Sequence, residues 1–171
     1  MYVKGVGMTK FGTQTDTSQE LVYQATMDAL EDADFKIEDI EAIVAAPTHS
    51  ENSGERQRLF SSVLSSILKK KVPILTSTAV CGGGGVALWT ANKLDYNNVL
   101  VIGVEKMLSS NSIKTTDEIM MAAERIYEQS EGLIFPAQNA LVAQQYMLKY
   151  GATSDDLALV AYKNHKNAFS N

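Results

Sequence analysis

One cysteine stands where an apolar strand pattern gives way to a helical one. Cys81 is the only cysteine of the chain, and Gly82, Gly83, Gly84 and Gly85 follow it directly. A cysteine attacks as its thiolate, and an ordinary thiol is only about 3% ionised at pH 7. The positive end of a helix stabilises that anion, and backbone N–H groups there hold a developing oxyanion. The pattern predicts a nucleophilic Cys81 whose own N–H is an oxyanion donor.

The glycine run is the second feature of this segment. A glycine inside a helix costs about 1 kcal/mol relative to alanine, so the run predicts close packing or close approach of a ligand. Gly82 and Gly83 are the candidate substrate-binding residues. In one alternative, Cys81 is an inert core residue. In another, the glycines cradle a phosphate, but the dinucleotide fingerprint needs them after the first strand, whereas this run follows the third predicted strand.

Three other polar residues are candidate partners of Cys81. Glu105 follows the apolar run VLVIGV and is expected at the same edge of the sheet as Cys81, because ligands bind at the carboxyl ends of parallel strands. His49 lies in a polar loop and His165 on the last helix, and both are interpreted as surface or helix-end residues. No metal site is predicted, since a single cysteine excludes a cysteine-rich zinc site.

Hydrophobic periodicity predicts the elements that position these residues. Strands are predicted over residues 2–8, 42–47, 72–79 and 99–104, and helices over residues 17–35, about 60–68 and the second half of 80–94. Alternating strands and helices indicate an α/β fold with a mostly parallel sheet and helices on both faces. Strand 99–104 has β-branched residues on both faces, which predicts that both are buried. Pro73 restricts its strand to an early or edge position.

The rest of the chain is predicted to form an excursion from the sheet followed by two helices. Residues 106–135 form the excursion, with a short helix predicted from the capping-box spacing of Thr115 and Glu118. A helix is predicted from Pro136 to Gly151, and a last helix after the capping-box spacing of Thr153 and Asp156. Residues 1–171 are predicted to form a single domain.

Composition excludes several classes of protein. The 171 residues are 45% hydrophobic and 20% charged, which is typical of a globular domain. A net charge of −5 provides no electrostatic footprint for nucleic acid or an anionic membrane. A single thiol fits a reducing cytoplasm, and no apolar run approaches the roughly 20 residues of a membrane span.

Several separated segments carry a resemblance to a known family. The nucleophile region of the thiolases is similar to the segment STAVCGGGGVALWTANKL followed by NVLVIGVEKM. Three further segments match the family in the same order along the chain: GVGMTKFG, ELVYQATMDALEDADFKIEDIEAIVAA and FPAQNALVAQQYMLKYGATSDDLALVAYKNHKNAFSN. The chain is similar to sterol-carrier-protein-type thiolases and archaeal acetyl-CoA acetyltransferases. The resemblance implies a thiolase-like N-terminal half.

The resemblance assigns a role to Cys81 alone. It implies that Cys81 takes an acyl group from acyl-CoA in making or breaking a 3-oxoacyl-CoA, with acyl-CoA and CoA as substrates and no cofactor. Residues 106–135 would correspond to the loop over the substrate site. The family's second half brings a histidine in a G-H-P motif and a second cysteine in a C-x-G motif. This chain has no G-H-P motif, no second cysteine and no glycine-rich C-terminal segment, and His165 in KNHKNA does not match, so the C-terminal half is expected to be absent and the lone chain incomplete.

Partners follow from the same reasoning. A half domain has an exposed flank, so we expect a homodimer or larger oligomer. The missing half is expected to be a separate polypeptide or to have been lost through truncation. The resemblance also implies a hydroxymethylglutaryl-CoA synthase and a small acyl-CoA-binding accessory protein. A ketoacyl synthase is a close variant of this hypothesis. The alternative is a non-catalytic thiolase-like interaction or scaffold module.

Overall fold

The computed structural model describes residues 2–47, 57, 59–107 and 112–169. They form two compact units, which divide between residues 111 and 112. The first unit carries α1 (Ser18–Asp32), β1 (Ala42–Pro47), α2 (Phe60–Ile67), β2 (Ile74–Thr76), α3 (Gly83–Lys93) and β3 (Val99–Val104). The second carries α4 (Ser112–Met120), α5 (Phe135–Tyr150) and α6 (Ser154–Ala168). The prediction of a single domain over residues 1–171 stays a prediction.

A parallel sheet with the strand order β2-β1-β3 is the centre of the first unit. The middle strand, β1, is buried along its whole length. On one face Ile43 and Ala45 pack among residues of α1 and α2, and on the other Val44 and Ala46 pack against α3. The predicted α/β fold, with a parallel sheet and helices on both faces, is confirmed.

The two outer strands differ from the sequence prediction in opposite ways. Strand β2 is shorter than the predicted residues 72–79, but it lies at an edge, as Pro73 requires. Strand β3 spans residues 99–104 as predicted, yet only Leu100 and Ile102 are buried. The prediction that both faces of β3 are buried is wrong, because β3 is the other edge strand and one of its faces is only partly covered.

The helices of the first unit begin where local signals predict. Thr17 caps α1: its hydroxyl accepts the N–H of Glu20, and the Glu20 carboxylate accepts the N–H of Thr17 at 2.7 Å. These hydrogen bonds from Thr17 hold the pKa of Glu20 below its usual value. Past the end of α2, the Lys70 ammonium donates to the Glu38 carbonyl at 2.7 Å. The lysine-rich end of α2 is therefore linked to a neighbouring turn by this hydrogen bond.

A carboxylate ties the N-terminal ends of β1 and β3 together. The Glu41 carboxylate accepts the backbone N–H groups of Asn97 (2.6 Å) and Asn98 (3.2 Å), and the N–H of Glu41 donates to the Asn98 carbonyl at 2.9 Å. The N–H donors of Asn98 and Asn97 hold the pKa of Glu41 below its usual value. This contact fixes the register of the two strands at the edge opposite Cys81.

The N-terminal segment is not the strand predicted over residues 2–8. It lies against α1 instead, and the N–H of Val6 donates to Oδ2 of Asp32 at 2.9 Å. Two glycines allow this approach. A Cβ on Gly5 would come within 2.4 Å of the Ala29 carbonyl oxygen, and one on Gly7 within 2.1 Å of that of Ala25. The contact with the helix backbone replaces the expected pairing with a strand.

We expect Gly7→Ala to release this segment from α1. The added methyl group would meet helix backbone, which cannot move aside, and such overpacking costs about 1–3 kcal/mol. Trypsin should then cut after Lys10 roughly ten times faster than in the unsubstituted protein. Gly103→Ala is the control, because a Cβ there meets no atom within 4 Å. Equal cleavage of the Gly7→Ala and Gly103→Ala proteins would show that packing against α1 does not hold the N-terminal segment in place.

The second unit is helical throughout the part that the structure describes. Helix α4 begins at Ser112, so the predicted helix start at Thr115 is wrong, and a π-helical turn follows at Arg125–Gln129. The later predictions are confirmed. Pro136 lies in the first turn of α5, and Gly151 ends that helix with a φ of 68°. The Thr153–Asp156 capping box starts α6, and its hydrogen bonds from Thr153 lower the pKa of Asp156.

Candidate functional site

Cys81 lies in a single 3-10 turn, Val80–Gly82, between the end of β2 and the start of α3. Its side chain is exposed. The N–H of Gly82 donates to the Ala79 carbonyl at 2.8 Å, and the N–H of Gly83 donates to the Val80 carbonyl. Neither of these two hydrogen bonds involves the N–H of Cys81. The predicted strand–turn–helix setting of Cys81 is therefore what the structure contains.

The residue before the cysteine has a left-handed backbone. Val80 has a φ of 44°, and a β-branched residue there is strained by about 1–3 kcal/mol. Nothing in the sequence predicts this, since valine is a poor choice for a positive φ. The strained turn reverses the chain sharply from strand into helix and places the cysteine at the surface. Nucleophile elbows present their catalytic side chain in the same way.

Packing among the described residues does not explain the whole glycine run. A Cβ on Gly83 would make an ordinary contact of 3.6 Å with Cβ of Ala46, and one on Gly82 would lie 3.9 Å from Cβ of Ala79. At Gly84 and Gly85 an added Cβ would meet nothing within 4 Å. Of the two explanations for the run, close packing fails for Gly84 and Gly85. The substrate-binding roles of Gly82 and Gly83 stay predictions.

Small residues allow α3 to pack closely against the sheet. Gly83, Ala87 and Ala91 recur every four residues along its buried face, and Ala87 and Ala91 pack with Val44 and Ala46 of β1. Val86 and Leu88, on the flanks of this buried face, and Trp89, on the outer side of the helix, are exposed. The small buried face fixes how close the first turn of α3, and with it Cys81, comes to the sheet.

The strand topology places Glu105 at the same edge of the sheet as Cys81. All three strands are parallel, Cys81 follows β2 and Glu105 follows β3. Strand β1 lies between them, which separates the two outer strands by about 10 Å. The Glu105 carboxylate accepts the N–H of Lys106 at 2.8 Å. The two residues share an edge but belong to strands that are not neighbours.

Of the two histidines, His165 alone belongs to the described residues. His49 lies outside the described residues. His165 is exposed near the end of α6, where Nδ1 lies 2.8 Å from the Ala161 carbonyl oxygen of its own helix. It is a helix-end residue of the second unit, as the sequence analysis interprets it.

Ser77 is the polar residue at this edge that sequence reasoning missed. It follows β2 directly, its side chain is buried, and its hydroxyl makes no hydrogen bond. A serine in the run ILTSTA gives no sign of such burial, because the burial depends on the register of β2 against β1. A buried hydroxyl without a partner needs an explanation.

Metal-ligand clusters and membrane-spanning helices are both absent from the part of the chain that the structure describes. No group of three or more histidine, cysteine, aspartate or glutamate side chains is placed to hold a metal ion there. No helix among those residues is long and apolar enough to cross a membrane.

Comparisons with known proteins agree with the fold. The chain is an α/β domain built on a parallel sheet, and the family model for the thiolase N-terminal domain matches residues 1–171. The chain therefore belongs to the thiolase N-terminal domain family, which confirms the resemblance.

Individual relatives are about two or three times as long as this chain. It is 30% identical to the acetyl-CoA acetyltransferase of Methanothermobacter thermautotrophicus, over 99% of this chain and 45% of that protein. It is 29% identical to sterol carrier protein 2 of Bos taurus, over 100% of this chain and 33% of that protein. Among solved structures, 3-oxoacyl-[acyl-carrier-protein] synthase III from Aquifex aeolicus aligns with a TM-score of 0.48 and 24% identity, over 58% of this chain and 34% of that one. The chain thus spans less than half the length of these curated relatives.

Proposed function

We propose that this chain provides the nucleophile of a thiolase-type acyl-CoA acyltransferase. The observation that carries the proposal is the exposed Cys81 in a strained turn at the start of α3. That turn lies at the carboxyl edge of a parallel sheet in a thiolase N-terminal domain. Substrates bind at that edge in open α/β sheets. Relatives named acetyl-CoA acetyltransferase support acyl-CoA as the donor.

The proposed first step is an exchange of thioesters. The Cys81 thiolate attacks the carbonyl carbon of the acyl-CoA, and the new S–C bond forms as the oxygen becomes an oxyanion. The N–H of Cys81 and the positive end of α3 stabilise that charge. The oxyanion then collapses, the bond to the CoA sulfur breaks, and the CoA thiolate leaves to take up a proton. The acyl group stays on Cys81 as a covalent intermediate.

Completing the reaction needs groups beyond the ones described in this chain. The 171 residues contain one cysteine and two histidines, with no G-H-P motif and no second cysteine of the kind the resemblance assigns to proton transfer. We propose that a second thiolase-like segment supplies those groups. The exposed side chains of Val86, Leu88 and Trp89 on α3 support association, because exposed apolar patches commonly mark sites of protein–protein contact. A homodimer, the synthase and the acyl-CoA-binding protein implied by the resemblance stay proposals.

Acetyl transfer to Cys81 tests the proposed function. The protein is incubated with acetyl-CoA and digested, and the peptide containing Cys81 is examined by mass spectrometry. We expect a mass increase of one acetyl group on that peptide in the wild-type protein and none in Cys81→Ala. Iodoacetamide treatment of a second sample measures whether the thiol is accessible.

The two labels together separate the hypotheses. Alkylation without acetylation would favour the alternative, a non-catalytic interaction or scaffold module that keeps the thiolase-like fold. Labelling by neither reagent would mean that Cys81 is a core residue in solution, and the nucleophile hypothesis would be wrong. Acetylation of other residues in Cys81→Ala would show that the transfer is non-specific.

A further inference from the structure

Ser77 holds an unsatisfied polar group directly beside the candidate site. Its side chain is 8% exposed, its hydroxyl oxygen is enclosed, and that oxygen makes no hydrogen bond. Buried hydroxyls in native proteins almost always have a partner, because an unpaired one destabilises the fold. A group of this kind is therefore a candidate for a role outside the resting structure.

The ladder between β1 and β2 determines which way Ser77 faces. The N–H of Ile43 donates to the Pro73 carbonyl at 2.9 Å, and the N–H of Ser77 donates to the Ala45 carbonyl at 2.7 Å. These bonds continue the register by one step beyond Ala45↔Thr76, so Ser77 stands opposite Ala46. Paired residues of parallel strands point to the same face of the sheet, so Ser77 faces the side that α3 covers.

The part of α3 nearest to this position is its first turn. Ala46 belongs to the cluster beneath α3, and a Cβ on Gly83 would lie 3.6 Å from Cβ of Ala46. Gly82, at the start of the helix, provides no side-chain cap for the first N–H groups. Ser77, opposite Ala46, thus lies on the side of the sheet that α3 covers, four residues before Cys81 in the sequence.

We propose that Ser77 is a positioning residue for Cys81, stabilising the thiolate by turning its hydroxyl hydrogen toward the negative charge that develops there. The proposal rests on the proposed role of Cys81 as nucleophile. A hydroxyl without a partner breaks no hydrogen bond when it rotates. Its enclosure away from water strengthens the attraction between the O–H dipole and the anion.

The pH dependence of Cys81 alkylation tests this role. Rate constants with iodoacetamide are measured from about pH 6 to about pH 10 in the 171-residue chain. In Ser77→Ala we expect the midpoint of the profile to move to higher pH and the rate at pH 7 to fall roughly three- to tenfold. The plateau at high pH should stay unchanged. The thermal unfolding midpoint should be equal or higher, because an unsatisfied buried hydroxyl is removed.

Thr78→Ala is the matched control. It removes a hydroxyl one residue further on, from an exposed position, and its profile should superimpose on that of the wild-type protein. An unchanged profile in Ser77→Ala would overturn the proposal. If Ser77→Ala lowers the plateau and the unfolding midpoint together, Ser77→Thr decides. A wild-type profile midpoint in that variant supports the hydroxyl role, and a midpoint like that of Ser77→Ala refutes it.

Acetylation of the wild-type protein separates this proposal from the proposed function. A shifted alkylation profile in Ser77→Ala with no acetyl transfer to wild-type Cys81 would support Ser77 and refute the acyltransferase. Acetyl transfer in the wild-type protein with no shift of the alkylation profile in Ser77→Ala would support the acyltransferase and refute the role of Ser77.

Discussion

Leu64→Ala is expected to lower the free energy of unfolding of the first unit by roughly 2–5 kcal/mol. Leu64 lies on α2 with 0% of its side chain exposed, in the cluster that joins α1 and α2 to Ile43 and Ala45 of β1. Its truncation removes apolar burial and leaves a cavity beside β1. Since a whole domain is stable by only about 5–15 kcal/mol, this loss is a large share of the total.

Urea unfolding followed by tryptophan fluorescence measures this effect. Trp89 is the only tryptophan of the chain and lies on α3, so its signal reports the first unit. Leu59→Ala is the matched control, because Leu59 directly precedes α2 and is 68% exposed. The same truncation there should change stability by no more than about 0.5 kcal/mol. Equal losses in the two variants would mean that the cluster around Leu64 is not the core.

Elements with a complete local signal were predictable from the sequence. The capping box of Thr17 and Glu20 starts α1 through hydrogen bonds between residues three apart. Strand β1 was predictable to the residue, since an apolar run that ends in a proline needs no distant information. Gly151 likewise ends α5 with a left-handed backbone that its own type favours. These features depend on near neighbours only.

Elements that depend on a distant partner were not predictable. Residues 2–8 alternate like a strand, but their glycines fit the backbone of α1, and no property of the segment itself chooses between these partners. Both faces of β3 carry β-branched residues, yet its place at the margin of the sheet leaves one face partly open. Burial of a strand is set by what covers it, and the sequence of the strand contains no such information.

The candidate site also contains features that the sequence predicts and features that it does not. The position of Cys81 between a strand and a helix follows from hydrophobic periodicity and the glycine run. The positive φ of Val80 does not, because local preference opposes it and only the surrounding fold maintains it. The burial of Ser77 depends on the register between two strands some 30 residues apart in the sequence. Functional strain and buried polar groups are where local rules are expected to fail.

Ala87→Leu is expected to disturb both the fold and the site, because Ala87 sets the distance between α3 and the sheet. Its side chain is 0% exposed and packs with Val44 and Ala46. The larger leucine side chain has no space there, and overpacking of this kind costs about 1–3 kcal/mol. The helix must move outward, and its first turn moves with it. Because a displacement of about 1 Å can lower a reaction rate a hundredfold, acetyl transfer to Cys81 should fall roughly ten- to a hundredfold.

Asn92→Leu provides the comparison that assigns this effect to packing, because Asn92 lies on the same helix but is exposed. Both variants introduce a leucine into α3, and leucine is a good helix former at either position. A loss confined to Ala87→Leu therefore arises from contact with the sheet. We expect Asn92→Leu to be at least as stable as the wild-type protein in urea unfolding and to match it in acetylation by acetyl-CoA. Alkylation of Cys81 by iodoacetamide should persist in Ala87→Leu, since the thiol is already at the surface. Full acetylation in a destabilised Ala87→Leu protein would show that the distance of α3 from the sheet does not control the reactivity of Cys81.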